Sequence, residues 1–477
     1  MAGEPATLPP YSRMIDSGVS WLGEIPEHWS TTRSRFLFRE VDVRSEGGSE
    51  THLSMSQRLG LVTSSEAGHS TLASESNVGG KLVQPDDLVL NRLKAHLGVF
   101  ARATQAGVIS PDYTVLRPRR QLAVRYYEEA LRSPACRQEL YTRTKGIVEG
   151  FWRLYTDDFY DVRLPEPPAG EQEAIVRFLS YTDQQVRRYI RAKQKLIKLL
   201  EEQKQAIVHR AVTRGVDPNG RLKPSGVEWL GDIPEHWDVR ALRARYTQAL
   251  GKMLDSKRVT GDYPLPYLRN TDVQWDRVNT KDLPTMDIAP SEYERYTVRS
   301  GDLLVCEGGE VGRCAIWIET QARYGYQKAL HRLRPIRRNV DCPRYMYYAL
   351  RAATIRHAFD DGHVSTIPHL TGDKLRAHRF AFPPAIEQKR IVEYLDQRLR
   401  QIDLAREGIS EDMALVREYR TRLIADVVTG KLDVREAAAR LPEEIDEVEK
   451  VDDVEATDDT DVDMDTDVDG ETEGAGV

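Results

Sequence analysis

The chain has 477 residues, of which 40% are hydrophobic and 30% charged, with four cysteines and a formal net charge of −7. This length predicts roughly two to four domains, and the apolar content excludes a wholly disordered chain. No apolar stretch approaches the roughly 18 residues of a transmembrane helix, and no C-x-x-C pair indicates a zinc knuckle. We expect a cytoplasmic protein, because so few cysteines suit a reducing compartment.

The acidic charge is concentrated at one end of the chain. Residues 441–477 contain 17 Asp and Glu against one Lys, so the other 440 residues carry 67 basic against 58 acidic side chains, a balance of +9. This acidic tail, poor in aromatic residues, is expected to be disordered. A mildly basic body is compatible with a polyanionic partner.

The chain repeats itself. Residues 18–29 read GVSWLGEIPEHW and residues 226–237 read GVEWLGDIPEHW, identical at ten of twelve positions. A second pair is PPAGEQEAIV at 167–176 and PPAIEQKRIV at 383–392. Because the two halves match at their edges and differ in the middle, we predict a common frame that carries two different reading surfaces.

The repeat divides the chain into successive parts. We predict a repeat segment at 11–29, a domain at 30–168, a long helix at 169–214, a linker with the second repeat segment at 215–237, a domain at 238–384, a long helix at 385–431 and the acidic tail at 441–477. Both domains are predicted to be mixed α/β (α+β), because apolar strand-like runs such as 87–90 and 302–305 alternate with helical patterns.

The two long segments have coiled-coil spacing. Apolar side chains recur about every 3.5 residues, which predicts a seam between paired helices. The seam positions are Ile175, Leu179, Val186, Tyr189, Leu196, Leu200 and Ile207 in the first helix, and Ile391, Leu395, Ile402, Ile409, Val416, Tyr419 and Leu423 in the second. Gly408 predicts a local kink in the second helix. The alternative is that each seam is the buried face of a helix in a globular core, but the helix length favours a rod.

Polar side chains cluster in the variable blocks beside the predicted strands. Arg, Asn, Gln and Lys read base edges, whereas Lys, Ser and Thr fix phosphates, so these clusters are candidates for nucleic-acid binding. The candidates are Ser54, Ser56, Gln57, Arg58, Asn91, Arg92, Lys94, His96 and Lys145 in the first block, and Lys252, Lys257, Arg258, Arg269, Asn270, Thr271, Lys328 and His363 in the second. Any one of them taken alone is more easily interpreted as a solvated surface group.

No catalytic motif accompanies these clusters. The sequence lacks a P-loop, a G-x-G-x-x-G opening a βαβ unit and an H-E-x-x-H metal motif. We therefore predict no catalytic residue, no metal site and no cofactor in this chain. A catalytic enzyme, such as the specificity half of a fused methyltransferase or nuclease, would require a cofactor loop that the sequence does not contain.

These motifs together resemble the specificity (S) subunit of type I restriction-modification systems, over residues 11–431. The resemblance rests on W-L-G-[ED]-I-P-E-H-W from Trp21 and Trp229 and on P-P-x-x-E-Q-x-x-I from Pro167 and Pro383. It also rests on the block motifs GDLL at 301–304, DLVLNR at 87–92 and SPDYTVLRP at 110–118. The acidic tail and Gly408 depart from the family pattern.

The resemblance implies a fold and a set of partners. Two target-recognition domains, separated by two antiparallel helices in a pseudo-two-fold repeat, would each read one half of a bipartite asymmetric DNA site. The helices would set the spacer and hold two methyltransferase (M) subunits, which use S-adenosylmethionine to methylate adenine, while restriction (R) subunits use ATP and Mg. The alternative is a protein-interaction scaffold without direct DNA readout.

Overall fold

The computed structural model describes residues 8–56, 60–63, 77–146, 152–254, 261–318, 322–359 and 369–442. The candidates Gln57, Arg58, Lys257, Arg258 and His363, and the acidic tail from residue 443 onward, lie outside the described residues. Across the described parts, no helix combines the length and apolarity needed to span a bilayer. The chain forms two compact units: unit 1 comprises the described parts of 1–188 and 416–477, and unit 2 is 189–415.

The elements of the first half lead into a long helix. Strands lie at Met14–Asp16 (β1), Glu24–Pro26 (β2), Ser30–Arg33 (β3), Phe38–Val41 (β4), Leu53–Ser56 (β5), Gly60–Thr63 (β6), Lys81–Val83 (β7), Leu88–Asn91 (β8), Phe100–Arg102 (β9), Gly107–Ile109 (β10), Tyr113–Pro118 (β11) and Arg163–Glu166 (β12). Helices lie at Ser34–Leu37 (α1), Val124–Arg132 (α2), Pro134–Thr142 (α3), Thr156–Tyr160 (α4) and Ala169–Arg214 (α5), with a 3₁₀ turn at Ala95–Leu97.

The elements of the second half also lead into a long helix. Its strands are Leu222–Pro224 (β13), Asp232–Pro234 (β14), Asp238–Ala241 (β15), Tyr246–Leu250 (β16), Pro264–Leu268 (β17), Val273–Gln274 (β18), Arg277–Val278 (β19), Thr285–Asp287 (β20), Leu303–Cys306 (β21), Cys314–Ile316 (β22), Gly325–Tyr326 (β23), Leu330–Pro335 (β24) and Arg379–Phe382 (β25). Its helices are Tyr293–Tyr296 (α6), Pro343–Ile355 (α7), Gly372–Ala377 (α8), Ala385–Val428 (α9) and Arg435–Ala439 (α10), with 3₁₀ turns at Leu242–Ala244, Asn270–Asp272 and Pro290–Glu292.

Each unit is built around a four-stranded antiparallel sheet. The strand order is β4-β11-β8-β9 in unit 1 and β16-β24-β21-β22 in unit 2. Alternate side chains point to opposite faces of a strand, so each sheet supplies two cores. In unit 2, Leu303 and Val305 pack against α7, whereas Leu304 and Cys306 pack into a second cluster with Leu268. The predicted mixed α/β fold is confirmed.

The two long helices lie antiparallel within unit 2. Asp412, Arg406 and Asp403 of α9 pair in that order with Lys193 at 3.3 Å, Glu201 at 3.0 Å and Lys204 at 2.6 Å. Position numbers fall on one helix as they rise on the other, which is the signature of an antiparallel pair. Gly408 lies inside α9, which runs through it to Val428.

The predicted helix seam needs correction at three positions. Tyr189, Leu196 and Tyr419 are exposed at 40%, 41% and 59%. Ile190 and Ile197, each one residue further on, are half-buried instead, and Arg420, one residue after Tyr419, pairs with Asp183. The remaining predicted positions are buried at Ile175, Leu179, Ile391, Leu395, Ile402, Ile409 and Leu423, and half-buried at Val186, Leu200, Ile207 and Val416.

The repeated sequence motif forms the same junction in each unit. In unit 1, His28 Nε2 lies 2.8 Å from Glu171 Oε2 in the first turn of α5, and Trp29 covers Gly430 just beyond α9. In unit 2, His236 Nε2 lies 2.8 Å from Glu387 Oε2 in the first turn of α9. Trp237 there covers Gly215 just beyond α5. The repeat is therefore explained by packing at helix ends.

Candidate nucleic-acid interface

The two central sheets share one register, so their positions correspond. Phe38 pairs with Pro118 in unit 1 as Tyr246 pairs with Pro335 in unit 2. A buried ion pair marks the same place in each sheet and supports the alignment. Arg117 donates to both carboxylate oxygens of Asp87 at 2.8 and 2.7 Å. Arg334 donates to both oxygens of Asp302, each at 2.7 Å.

Three corresponding positions, two on strands and one directly after a strand, carry different polar residues in the two units. By the register, Glu40 of β4 corresponds to Gln248 of β16, and Thr114 of β11 corresponds to His331 of β24. The residue after β8 is Arg92, and the residue after β21 is Glu307. In unit 1 these side chains touch, since Arg92 Nε donates to Thr114 Oγ1 at 2.7 Å and Arg92 Nη2 lies 3.6 Å from Glu40 Oε1.

Among the other candidates of unit 1, Asn91, His96 and Lys145 make local structural contacts. Asn91 Oδ1 accepts from the amides of Leu93 and Lys94 at 3.0 and 3.2 Å, so it caps the turn. His96 packs edge-on against Trp152, and burial lowers its pKa. The remaining candidates are placed as follows: Lys145 Nζ lies 2.7 Å from Asp158, Lys94 is half-buried, and Ser54 and Ser56 are half-buried on β5.

In unit 2 the structure brings Lys252 and Lys328 together. The backbone amide of Lys328 donates to the carbonyl of Lys252 at 3.0 Å, and the side chain of Lys328 is exposed. Lys252 Nζ is engaged internally, at 2.7 Å from the carbonyl of Asp287 and 2.6 Å from Glu292. Hydrogen bonding from Lys252 lowers the pKa of the Glu292 carboxyl.

The candidates at 269–271 lie against the glycine-rich loop that follows β21. Asn270 Nδ2 donates to the carbonyl of Gly308 at 2.9 Å. The guanidinium of Arg269 pairs with the carboxylate of Asp272. Nε donates to Oδ2 at 2.8 Å, and Nη2 donates to Oδ1 at 2.9 Å. Thr271 is exposed. Of these three residues, Thr271 presents the most accessible side chain.

Sequence reasoning missed a polar cavity of about 410 Å³ beside β16. It is lined by Gln248, Ala249, Leu250, Arg295, His331, Gly372, Asp373 and Arg376. Gln248 lies on the edge strand β16 and is half-buried, so only the strand register distinguishes it from other glutamines. No group of three or more His, Cys, Asp or Glu within the described ranges is arranged to hold a metal ion.

Comparison with known proteins agrees with this architecture. The family model described as "Type I restriction modification DNA specificity domain" matches residues 234–412. A chain from a structure on complex assembly and conformational transition of the type I R-M system aligns with 86% of this chain and 99% of its own length. That alignment has a TM-score of 0.64 and 17% identity.

A second solved structure gives the same result. The HsdS subunit from Thermoanaerobacter tengcongensis aligns with 86% of this chain and 98% of its own length, with a TM-score of 0.51 and 17% identity. At this identity the two likenesses show the fold. The specificity-domain model thus matches residues 234–412, and the chain shares the fold of the HsdS subunit.

Proposed function

We propose that this chain is the DNA sequence-recognition subunit of a type I restriction-modification complex and is itself non-catalytic. Each unit reads one half of a bipartite, asymmetric DNA site. One observation carries this proposal: the same sheet, with the same Asp–Arg pair, carries the half-buried Glu40 and Arg92 in one unit and the half-buried Gln248 and Glu307 in the other, next to the fully buried Thr114 and His331. A shared frame with unlike side chains suits two unlike half-sites.

The helices serve as the docking surface for two methyltransferase subunits. In unit 2, large apolar side chains on α5 and α9 are exposed although the helices are paired: Leu196, Leu199, Leu404 and Leu415 at 41%, 50%, 61% and 63%. Exposed apolar side chains of this size favour a protein partner. The methyltransferase subunits use S-adenosylmethionine to methylate adenine, and the restriction subunits use ATP and Mg. The complex acts on DNA in the cytoplasm.

Mapping methylated adenines in the host genome, with and without this gene, tests the proposal. We expect one bipartite motif to be methylated in the parent and unmethylated in the deletion strain, and to return when the gene is restored. Methylation that persists in the deletion strain contradicts a specificity role. A purified complex that contains this chain but leaves no sequence-specific footprint on DNA favours the protein-scaffold alternative.

A further inference from the structure

The cavity beside β16 has a fixed polar group at its wall. His331 is fully buried, and burial lowers the pKa of its imidazole, so the ring is neutral. Its Nε2 lies 2.8 Å from the carbonyl oxygen of Leu370, which can only accept a hydrogen bond. The Nε2 therefore carries the proton, and the opposite ring nitrogen is an acceptor.

This tautomer orients the Gln248 side chain. Gln248 Nε2 lies 2.7 Å from His331 Nδ1 and donates to it. A carboxamide has two N–H donors and one carbonyl acceptor, so one N–H and Oε1 are left for a ligand. Among the described residues, none donates a hydrogen bond to Oε1. Gly372 leaves the space that this arrangement needs, because a Cβ there would lie 2.8 Å from Gln248 Nε2.

The surroundings of Gln248 suit a nucleic acid. Arg295 and Arg376 line the same cavity and are both exposed, and Asp373, which also lines it, pairs with Arg376, so the lining keeps a net positive charge. The cavity lies at the end of the sheet where β16 ends and β24 begins, beside the loops that carry Lys252 and Lys328. Cations around a carboxamide are placed to contact phosphates while the amide meets a base edge.

We propose that Gln248, held by His331 as a positioning residue, reads an adenine in the half-site of unit 2. Oε1 accepts from adenine N6, and the second N–H of Nε2 donates to adenine N7, the bidentate pairing that glutamine makes in the major groove. The corresponding Glu40 in unit 1 is paired with Arg92, so unit 1 presents a different group at that position. This inference rests on the proposed function and names a specificity residue within it.

Enrichment of a randomised DNA duplex tests the assignment. The tagged full-length chain is captured from its host with its bound subunits, and the motif of the wild type is compared with those of Gln248→Ala, Gln248→Glu and His331→Phe. Thr247→Ala is the matched control, because Thr247 neighbours Gln248 on β16 and points to the opposite face. Thermal unfolding of each variant shows whether it folds.

We expect Gln248→Ala to lose roughly tenfold or more of the preference for adenine at one position, with the other half-site unchanged. Gln248→Glu should move that preference toward cytosine, whose N4 donates to a carboxylate. A folded His331→Phe should relax the same position, and Thr247→Ala should keep the wild-type motif. An unchanged motif in Gln248→Ala, or equal weakening on all sequences, overturns the inference. A wild type that enriches no motif contradicts the proposed function instead.

Discussion

Arg406 Nη1 of α9 donates to Glu201 Oε2 of α5 at 3.0 Å. This charged contact lies between the paired helices, where a coiled coil ordinarily has apolar side chains. One turn away, Lys204 Nζ lies 2.6 Å from Asp403 Oδ1. In unit 1, Arg420 Nε lies 2.5 Å from Asp183 Oδ1 in the same kind of position. Charged pairs across a seam fix the register of two helices more strictly than leucines do.

Lys204 gives the sharpest test of this charged seam, because its side chain is only 10% exposed. We expect Lys204→Ala to lower the free energy of unfolding by about 1–2 kcal/mol, through the lost pair and the lost packing of its aliphatic stem. Lys204→Met keeps the packing and should cost less. Chemical denaturation followed by circular dichroism measures both.

The exposed pair of Arg422 with Glu418 provides the control for Lys204. Arg422 is 76% exposed, so Arg422→Ala should change stability by no more than about 0.5 kcal/mol. Equal losses for Lys204→Ala and Arg422→Ala would contradict a structural role for the seam charge.

Two glycines of α9 and its end should respond in opposite directions to alanine. Gly430 has a φ of +77°, and a Cβ there would lie 2.4 Å from Pro26 Cδ. Gly430→Ala should therefore destabilise unit 1 by about 2 kcal/mol or more. Gly408 is inside α9 with open space around its Cα, so Gly408→Ala should stabilise by up to about 1 kcal/mol. Thermal unfolding compares the two variants. A higher melting temperature for Gly430→Ala would contradict the close contact between Gly430 and Pro26.

His378 should make the stability of unit 2 depend on pH. Its ring packs among Trp229, Phe359 and Phe380, and burial lowers its pKa to about 4. The unfolded chain, with an ordinary histidine pKa of about 6.5, binds the proton first as the pH falls. The neutral ring therefore contributes fully above about pH 6.5, and about 3 kcal/mol is lost as the pH falls toward 4.

Denaturant unfolding followed by tryptophan fluorescence between pH 7 and 4 measures this loss. His378→Phe keeps an aromatic ring in the site and should flatten the pH dependence relative to the wild type, while carboxylates that titrate in the same range affect both proteins equally. Parallel pH profiles for the two proteins would show that His378 does not cause the loss.

The sequence predicts the long helices of this protein better than the residues that contact DNA bases, because helix ends have local sequence signals. Pro167 and Pro168 before α5 and Gly215 after it are local signals of helix ends, and the observed helix spans Ala169–Arg214. The residues between the paired helices are harder to predict from the sequence. Lys204 and Arg406 lie there, and a search for apolar spacing does not select charged residues. Gln248 carries no local signal at all, since its importance depends on the pairing of β16 with β24.

Two arginine candidates should behave differently on substitution. The guanidinium of Arg269 is held by Asp272, whose side chain is 3% exposed, so Arg269→Ala leaves a buried carboxylate without its partner. We expect Arg269→Ala to lower the stability of the protein more than it changes the base preference.

Arg92 contacts Thr114 and Glu40 at the corresponding position of unit 1. Arg92→Ala should therefore lower the base preference at one position of that half-site by about 1–3 kcal/mol. Motif enrichment and thermal melts on both variants separate the two effects, and a salt-dependent loss on all sequences would place Arg92 on a phosphate.

Exchange of a whole block tests the modular arrangement most broadly. Strand β3 pairs with β12, so an exchange of residues 30–166 for the equivalent block of a relative moves both strands together. The donor block must supply a tyrosine at position 126, because Tyr126 Oη donates to the carbonyl of Val428 at the end of α9 at 2.9 Å. We expect the chimera to change one half of the methylated motif and keep the other half and the spacer. The reciprocal exchange of 238–382, which moves β15 and β25 together, should change only the opposite half. A chimera that alters both halves would show that the two units do not read DNA independently.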